Sequence, residues 1–406
     1  MHATRAAAAG HTASPATARR INDRLALRLL QTEGPLTAGQ LKTLTGLSRP
    51  TVGDLVERLQ EAGLIAVVGE SGAQRRGPNA RLYGIVADRA HLVGLDLRTR
   101  SATLAVADLL GRVRAERTVP VAPDDPPGTA VATVLAALDQ ALGAAGAAHP
   151  HTLAVGAPGL VDPATGRLGG NDWIPSWHAA LVGALRDRKA PAVLLENEVN
   201  LAAIAEQRDG AAHDRDTFVL LWLGHGTGAA VVLDGALRRG ASGGTGEIGF
   251  LPVPGTDALP SAGGCDGGFH SLAGSAAICA LAAEHGLTQE PAPAAPDATD
   301  APPAEALVRA AVAGRGSAFL DALAARIALG VAAVCAVLDP GCVVLGGEIG
   351  RAGGAALAER VAERLARLSP LRTEVRAGTV GGRAVLLGAV LAARDAAQNE
   401  LFAPTS

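Results

Sequence analysis

The chain has 406 residues, too many for one ordinary domain and enough for two or three compact units. Hydrophobic residues make up 48% but aromatic ones only 2%, so a large core must be built from Ala, Val and Leu. The formal net charge of −3 hides an asymmetry: residues 1–89 carry 12 Lys and Arg against 7 Asp and Glu, leaving 24 against 32 for the rest, so a basic module precedes an acidic body.

Cys265, Cys279, Cys335 and Cys342 have no CxxC spacing, which supports neither a disulfide framework nor a zinc clip. No run reads as long and apolar enough to span a bilayer and no signal peptide is evident, so a cytoplasmic protein without a membrane partner is expected. Residues 1–18 read as a disordered tail.

A basic module follows at 19–88. Ile21, Leu25, Leu29 and Leu30 fall at helical spacing and predict the buried stripe of a first helix, which Gly34-Pro35 stops. Thr37 caps a second helix with Leu41 and Leu44 inward, and Thr45-Gly46 supplies a turn. Ser48 caps a third helix with Pro50 in its first turn and an apolar face of Val52, Leu55, Val56 and Leu59. Two short helices joined by a tight turn make a helix-turn-helix. Its second helix would present Ser48, Arg49, Thr51 and Val52 to a DNA major groove. Leu64 to Val68 and Arg81 to Val86 read as paired strands around a Gly/Pro-bounded loop holding Arg75 and Arg76, a wing suited with Arg81 to phosphate or minor-groove contact. A protein-interaction module of three helices and a hairpin is the alternative.

In residues 89–406, apolar strands at Leu92–Leu97, Ala102–Ala107, Leu153–Val155, Val193–Leu195, Phe218–Leu223, Ala229–Leu233 and Val343–Leu345 alternate with helices at Thr129–Leu142, Asn200–Gln207 and Arg326–Leu338. Glycine-rich loops such as Gly224–Gly228 and Gly346-Gly347 stand at strand ends. The pattern predicts a doubly wound α/β architecture, interrupted by a Pro/Ala-rich insert at about 289–305.

The landmarks Val155–Asp162, Leu195–Glu206, Leu221–Gly228, Gly240–Gly249 and Val343–Gly347, in this order, resemble the ROK domain (repressors, open reading frames and kinases). The winged helix ahead of them resembles that of the family's repressors. The resemblance implies a fold of an N-terminal winged helix-turn-helix followed by an actin-like, sugar-kinase-like ROK domain of two α/β subdomains. It implies a repressor that binds double-stranded DNA at a pseudo-palindromic operator as a homodimer or dimer of dimers. The alternative it leaves is a sugar kinase with an accessory DNA-binding arm.

Three departures from the kinase members argue against phosphoryl transfer. Their Asp-x-Gly-Gly-Thr phosphate loop is here Asp96-Leu97-Arg98-Thr99-Arg100-Ser101, in which Arg98 and Thr99 replace the glycines that let a backbone wrap phosphates. Their catalytic Asn-Asp pair is Asn197-Glu198, one methylene longer, a displacement that can cost on the order of 100-fold. Their zinc-binding His and three Cys reduce to Phe250 after Glu247-Ile248-Gly249 and the single Cys265, with His270 nearby, too few donors for a closed tetrahedral site. No catalytic residue, metal or cofactor is expected. The resemblance assigns ligand contact to Asn171, Asn197, Glu198 and Glu247, groups suited to sugar hydroxyls. Phe250 and Ser271 stand where the family has further sugar contacts, so a sugar-like effector, another small molecule and no ligand all stay open. Trp173 and Trp177 read as flanking the cleft entrance, as a stacking platform or as packing anchors.

Overall fold

The computed structural model describes residues 15–71, 80–122, 125–169, 174–188, 192–256, 258–261, 267–287 and 300–402. They form two units: one runs up to His91 and includes Asp108–Arg112 and the residues from Arg394 onward; the other comprises Leu92–Ala107 and Val113–Ala393. The residues from Arg394 onward thus group with the first unit.

The first unit is built in the order α1 (Pro15–Thr32), β1 (Leu36–Thr37), α2 (Ala38–Thr45), α3 (Arg49–Glu61), β2 (Ile65–Ser71) and β3 (Ala80–Ile85). Helix α1 begins at Pro15, inside the segment read as a tail, whose first 14 residues lie outside the described ones. Thr37 forms a capping box with Gln40, and Gly46 ends α2 in the left-handed conformation at φ 70°. The small sheet has the order β1-β3-β2, with β3 antiparallel to both neighbours. Ala26, Leu27 and Leu30 are the buried face of α1, whereas Ile21 and Leu25 are 59% and 39% exposed. The expected stripe was rotated because Ala, too small to stand out in an apolar pattern, takes part in the contact face. Leu44, also read as inward, is 50% exposed, since an eight-residue helix has one covered face and Leu41 occupies it. Near the C-terminus, Gln398 Nε2 donates to Gln31 Oε1 at 2.9 Å and to the Leu109 carbonyl at 2.8 Å.

The second unit has two lobes. The first contains β4 (His91–Leu97), β5 (Ser101–Asp108), β6 (Val113–Pro120), α4 (Pro127–Ala144), β7 (Thr152–Ala157), α5 (Ser176–Asp187), β8 (Ala192–Asn197) and α6 (Glu198–Asp209). Its five-stranded sheet has the order β6-β5-β4-β7-β8, with β4, β7 and β8 parallel. The second lobe contains β9 (Phe218–Leu223), β10 (Thr227–Leu233), β11 (Ala236–Arg238), α7 (His270–Ala273), α8 (Ser275–Glu284), α9 (Pro303–Ala310), α10 (Ser317–Leu338), β12 (Cys342–Gly346), α11 (Gly347–Leu368) and β13 (Glu374–Ala377). Its sheet runs β11-β10-β9-β12-β13. The last helix, α12 (Ala384–Leu401), follows.

Central strands are apolar along their whole length because helices cover both faces: every residue of β7 and β9 is buried. The edge strand β6, with Arg114, Glu116 and Arg117, is mostly exposed. Each lobe has its own core, one around Val93, Leu104, Leu138 and Leu181, the other around Leu221, Phe269, Phe319 and Ile327. The insert was drawn too long, since Pro303–Ala310 is helical and Glu305 is buried against Arg309 and Arg351. Helix α10 corrects a second expectation: its 22 residues are long and apolar enough to cross a membrane, although one face, with Leu323, Ile327 and Val331, is buried in the lobe core.

Strand β12 passes into α11 at Gly347, which has φ +77° and lies against the Leu223 backbone. A Cβ there would press into the Leu223 carbonyl as well as forcing a left-handed backbone. Replacement of Gly347 by Ala should therefore destabilise the unit by about 2–4 kcal/mol. Urea unfolding of the variant measures this, and unchanged stability would show that the turn relaxes freely.

Candidate functional site

Two places carry the expected functional residues. In the first unit, Ser48 caps α3: its Oγ lies 3.4 Å from the Thr51 N–H and 2.8 Å from Thr51 Oγ1. Both hydroxyls thus hold the helix start. Arg49 and Pro50, on the first turn, are exposed, as are Gly53, Asp54 and Glu57 along the same outer side. A Ser48-capped helix start and one guanidinium stand at a solvent-facing end, an arrangement suited to a phosphate or a base edge. Val52 is corrected: at 2% exposure it belongs to the core with Leu55, Val56 and Leu59, and offers nothing to DNA. Arg81 is exposed on β3, while Arg75 and Arg76 lie outside the described residues.

The second place lies between the two lobes of the larger unit. The β4–β5 turn sends Arg98 out of the first lobe. Its Nε lies 2.9 Å from Asp96 Oδ1, and its Nη1 donates to Glu348 Oε1 at 2.8 Å, in the first turn of α11 of the second lobe. Glu198 Oε2 is 3.9 Å from Nη1, and the guanidinium stands 5.8 Å from the centre of the Trp222 ring. One cation therefore faces three carboxylates in a poorly hydrated setting. Burial pushes the Glu198 carboxyl up to about 7 against the opposing pull of Arg98, and raises that of Asp96 as well. From α5, His178 Nε2–H donates to the Arg98 carbonyl at 3.0 Å. That ring is fully buried, which depresses its pKa to about 4 and keeps it neutral.

The same turn is held at its far end. Asp300, ahead of α9, accepts from the Arg100 N–H at 2.8 Å and from Ser101 Oγ at 2.6 Å, and its carbonyl accepts from His225 Nε2–H at 3.0 Å. A further link between the lobes joins Arg239 Nε to the buried Glu196 at 2.6 Å. A small pocket of about 20 Å³, open to solvent, is lined by Arg98, Trp222, Gly347, Glu348, Arg351 and Gly382 among others.

Of the expected ligand residues, Asn197 spends its amide on structure. Its Oδ1 accepts from Val199 N–H as the cap of α6, and its Nδ2 donates to the Gly159 carbonyl at 3.0 Å. Glu198 faces Arg98. Glu247 is exposed, though partial desolvation raises its carboxyl. Asn171 lies outside the described residues, as does Trp173. Trp177 is 5% exposed and packs edge-on against His178, so it is a core residue and not a platform at an entrance. Phe250, 44% exposed, supplies no donor where a metal-binding His would stand, and Cys265 lies outside the described residues. Among the described residues no group of three or more His, Cys, Asp and Glu is placed to hold a metal.

Sequence reasoning missed Glu348, His178, Glu196 and Asp300. Glu348 had a signal, an acid directly after Gly346-Gly347 where a strand turns into a helix. Asp300, in a Pro/Ala-rich stretch, had none.

A winged helix-turn-helix followed by a two-lobed α/β body with a cleft between its sheets defines a sugar-kinase-like domain carrying a DNA-binding-type module. The chain belongs to the ROK family, whose description matches residues 92–396, and the MarR family description matches residues 21–77. It is similar to the DNA-binding transcriptional dual regulator NagC of Escherichia coli, 28% identical over 239 residues, which span 58% of this chain and 58% of NagC. In fold it is similar to the crystal structure of a ROK family transcriptional regulator, a homolog of the E. coli MLC protein, with a TM-score of 0.74, 21% identity and coverage of 95% and 98% of the two chains. The ROK hexokinase of Thermus thermophilus is 27% identical, with a TM-score of 0.61 over 76% of this chain and 99% of the enzyme.

The carboxylate cluster and His178 respond to acid with opposite sign. Glu198, raised on folding, contributes stability present below about pH 4.5 and lost as pH rises through about 7. His178, depressed on folding, contributes stability present above about 6.5 and lost as pH falls through about 4. In Glu198→Gln the gain from Glu198 on acidification is gone, while the His178 loss below about pH 6.5 stays. Its stability should fall more steeply on acidification than that of the wild type, by up to about 1.4 kcal/mol per pH unit. Thermal unfolding across this range checks it, and parallel curves would contradict it.

Proposed function

We propose that the chain is a sequence-specific DNA-binding transcriptional regulator, a repressor whose hold on its operator is controlled by a sugar-like small molecule in the ROK domain. The observation that carries the reading is the exposed, Ser48-capped start of α3 in a helix-turn-helix backed by a hairpin, with Arg49 on its outer side. Similarity to NagC and the MarR-type match over this segment support it. A DNA partner implies a cytoplasmic protein.

The reading leaves out phosphoryl transfer. A nucleotide's phosphates need glycine backbone and a free cationic site, whereas Arg98 is engaged with Asp96 and Glu348, and the turn behind it with Asp300. For the effector, Glu247 at the exposed end of the second lobe and Glu198 in the cleft are the carboxylates suited to paired hydroxyls; Asn171 joins them in this reading. A homodimer is supported by the outer side of α10, where Ala325 and Leu329 stay partly exposed, Ala336 is exposed and Val337 is 81% exposed.

A symmetric dimer of winged helices reads a pseudo-palindrome with half-site centres about one helical turn apart, roughly 10 base pairs, or a multiple of it. Replacing Arg49 with Ala should cost about 1–3 kcal/mol of binding and relax preference at one position in each half-site. Replacing Arg75 or Arg76 should weaken binding to all sequences alike and flatten the salt dependence. Footprinting on the promoter of its own gene, followed by titration of these variants at two salt concentrations, tests both. Wild-type affinity in all three variants would remove this module from DNA and with it the regulator reading.

A further inference from the structure

The β4–β5 turn is gripped twice by the opposite lobe, at Arg98 by Glu348 and at Arg100 and Ser101 by Asp300. Both grips have the marks of a device that can let go. Among the described residues Arg98 is the one guanidinium within 4 Å of Asp96, Glu198 and Glu348, so it holds together carboxylates that would otherwise repel across the cleft. Its own backbone is fixed from the first lobe by His178, which aims the side chain outward. On the second lobe, the acceptor Glu348 is crowded into place. A Cβ on Gly224 would lie 2.8 Å from Glu348 Oε2 and 2.7 Å from Trp222 Nε1, so only glycine in the β9–β10 turn leaves room for the carboxylate. Asp300 is fixed through its carbonyl by His225, from that same β9–β10 turn. The two grips are therefore joined on both sides: through three consecutive residue steps of the β4–β5 turn in one lobe, and through the Gly224–Gly226 turn in the other.

We propose that these contacts are a single two-point clasp by which the chain closes its own cleft, Arg98–Glu348 and Asp300–Arg100/Ser101 opening and closing together. Lobe closure is then set by protein side chains, with no need of a bound nucleotide to bridge the sheets. A ligand entering between the lobes acts by favouring the clasped or the open arrangement, whichever it contacts better. The inference stands apart from DNA binding, since it concerns only the larger unit and is tested without DNA.

The test cuts one point of the clasp and reads the other. Glu348→Gln keeps the shape of the side chain and removes the charge that holds Arg98, and it touches neither Arg100 nor Asp300. Hydrogen exchange of the full chain then reports on the Arg100 N–H, whose acceptor is Asp300, with the fully buried strand β7 as internal reference for global stability. Exchange at residues 98–101 should rise tenfold or more in Glu348→Gln while β7 keeps its wild-type protection. Arg98→Lys, which retains the charge but not the fork, should give a smaller rise at the same residues. Unchanged exchange at Arg100 in both variants would show two independent contacts and overturn the proposal. A rise shared equally by β7 would show mere loss of global stability and overturn it too.

Discussion

Arg98 stands in the cleft of the larger unit with carboxylates on three sides, Asp96 from its own strand, Glu198 from the start of α6 and Glu348 from the start of α11. Burying one cation costs several kcal/mol, and burying three anions without it costs more. The arrangement persists because each charge is another's solvent. Around it the positions of the neighbouring groups follow: a neutral His178 to hold the turn, a glycine at 224 to admit Glu348, a left-handed Gly347 to bring the α11 start against β9. Where a phosphate-binding turn would keep its backbone bare, this chain fills the space with its own ion pairs.

In the proposed reading that substitution changes what the two-lobed fold is for. In a kinase the lobes close on substrates and the energy of closure serves a chemical step. With the proposed clasp, closure is available to the protein alone, and its two arrangements need only differ enough in energy for a small molecule to choose between them. A sensor has that requirement and no other. In the proposed reading the acidic body and the basic, helix-turn-helix module divide the work, the one meeting an effector and the other a polyanion.

The strands of the larger unit were legible because buried central strands leave continuous apolar runs; Phe218–Leu223 matches β9 residue for residue. The third helix of the first unit was equally legible, since Ser48, Pro50 and the spacing of Val52, Leu55, Val56 and Leu59 each obey local rules. Elements without such signals were missed. Strand β6 carries charges as an edge must, β1 is two residues long, and the alanines of α1 hide which face is buried. At the cleft, the replacement of glycines by Arg98 and Thr99 was visible in the sequence. What Arg98 would bind was not, because Glu348 lies 250 residues away and Asp300 sits in a stretch whose composition announces no structure. Asn197 was read as a ligand group, yet the helix start beside it claims the amide first.

A cleft closed by the chain's own charges, as proposed, is unfit to transfer a phosphoryl group. The most direct measurement is a coupled ATP-turnover assay of the full chain over a panel of small sugars. No turnover above the protein-free background is expected on any of them. Turnover of around 1 per second or more on a single sugar, the rate of an ordinary enzyme, would contradict it.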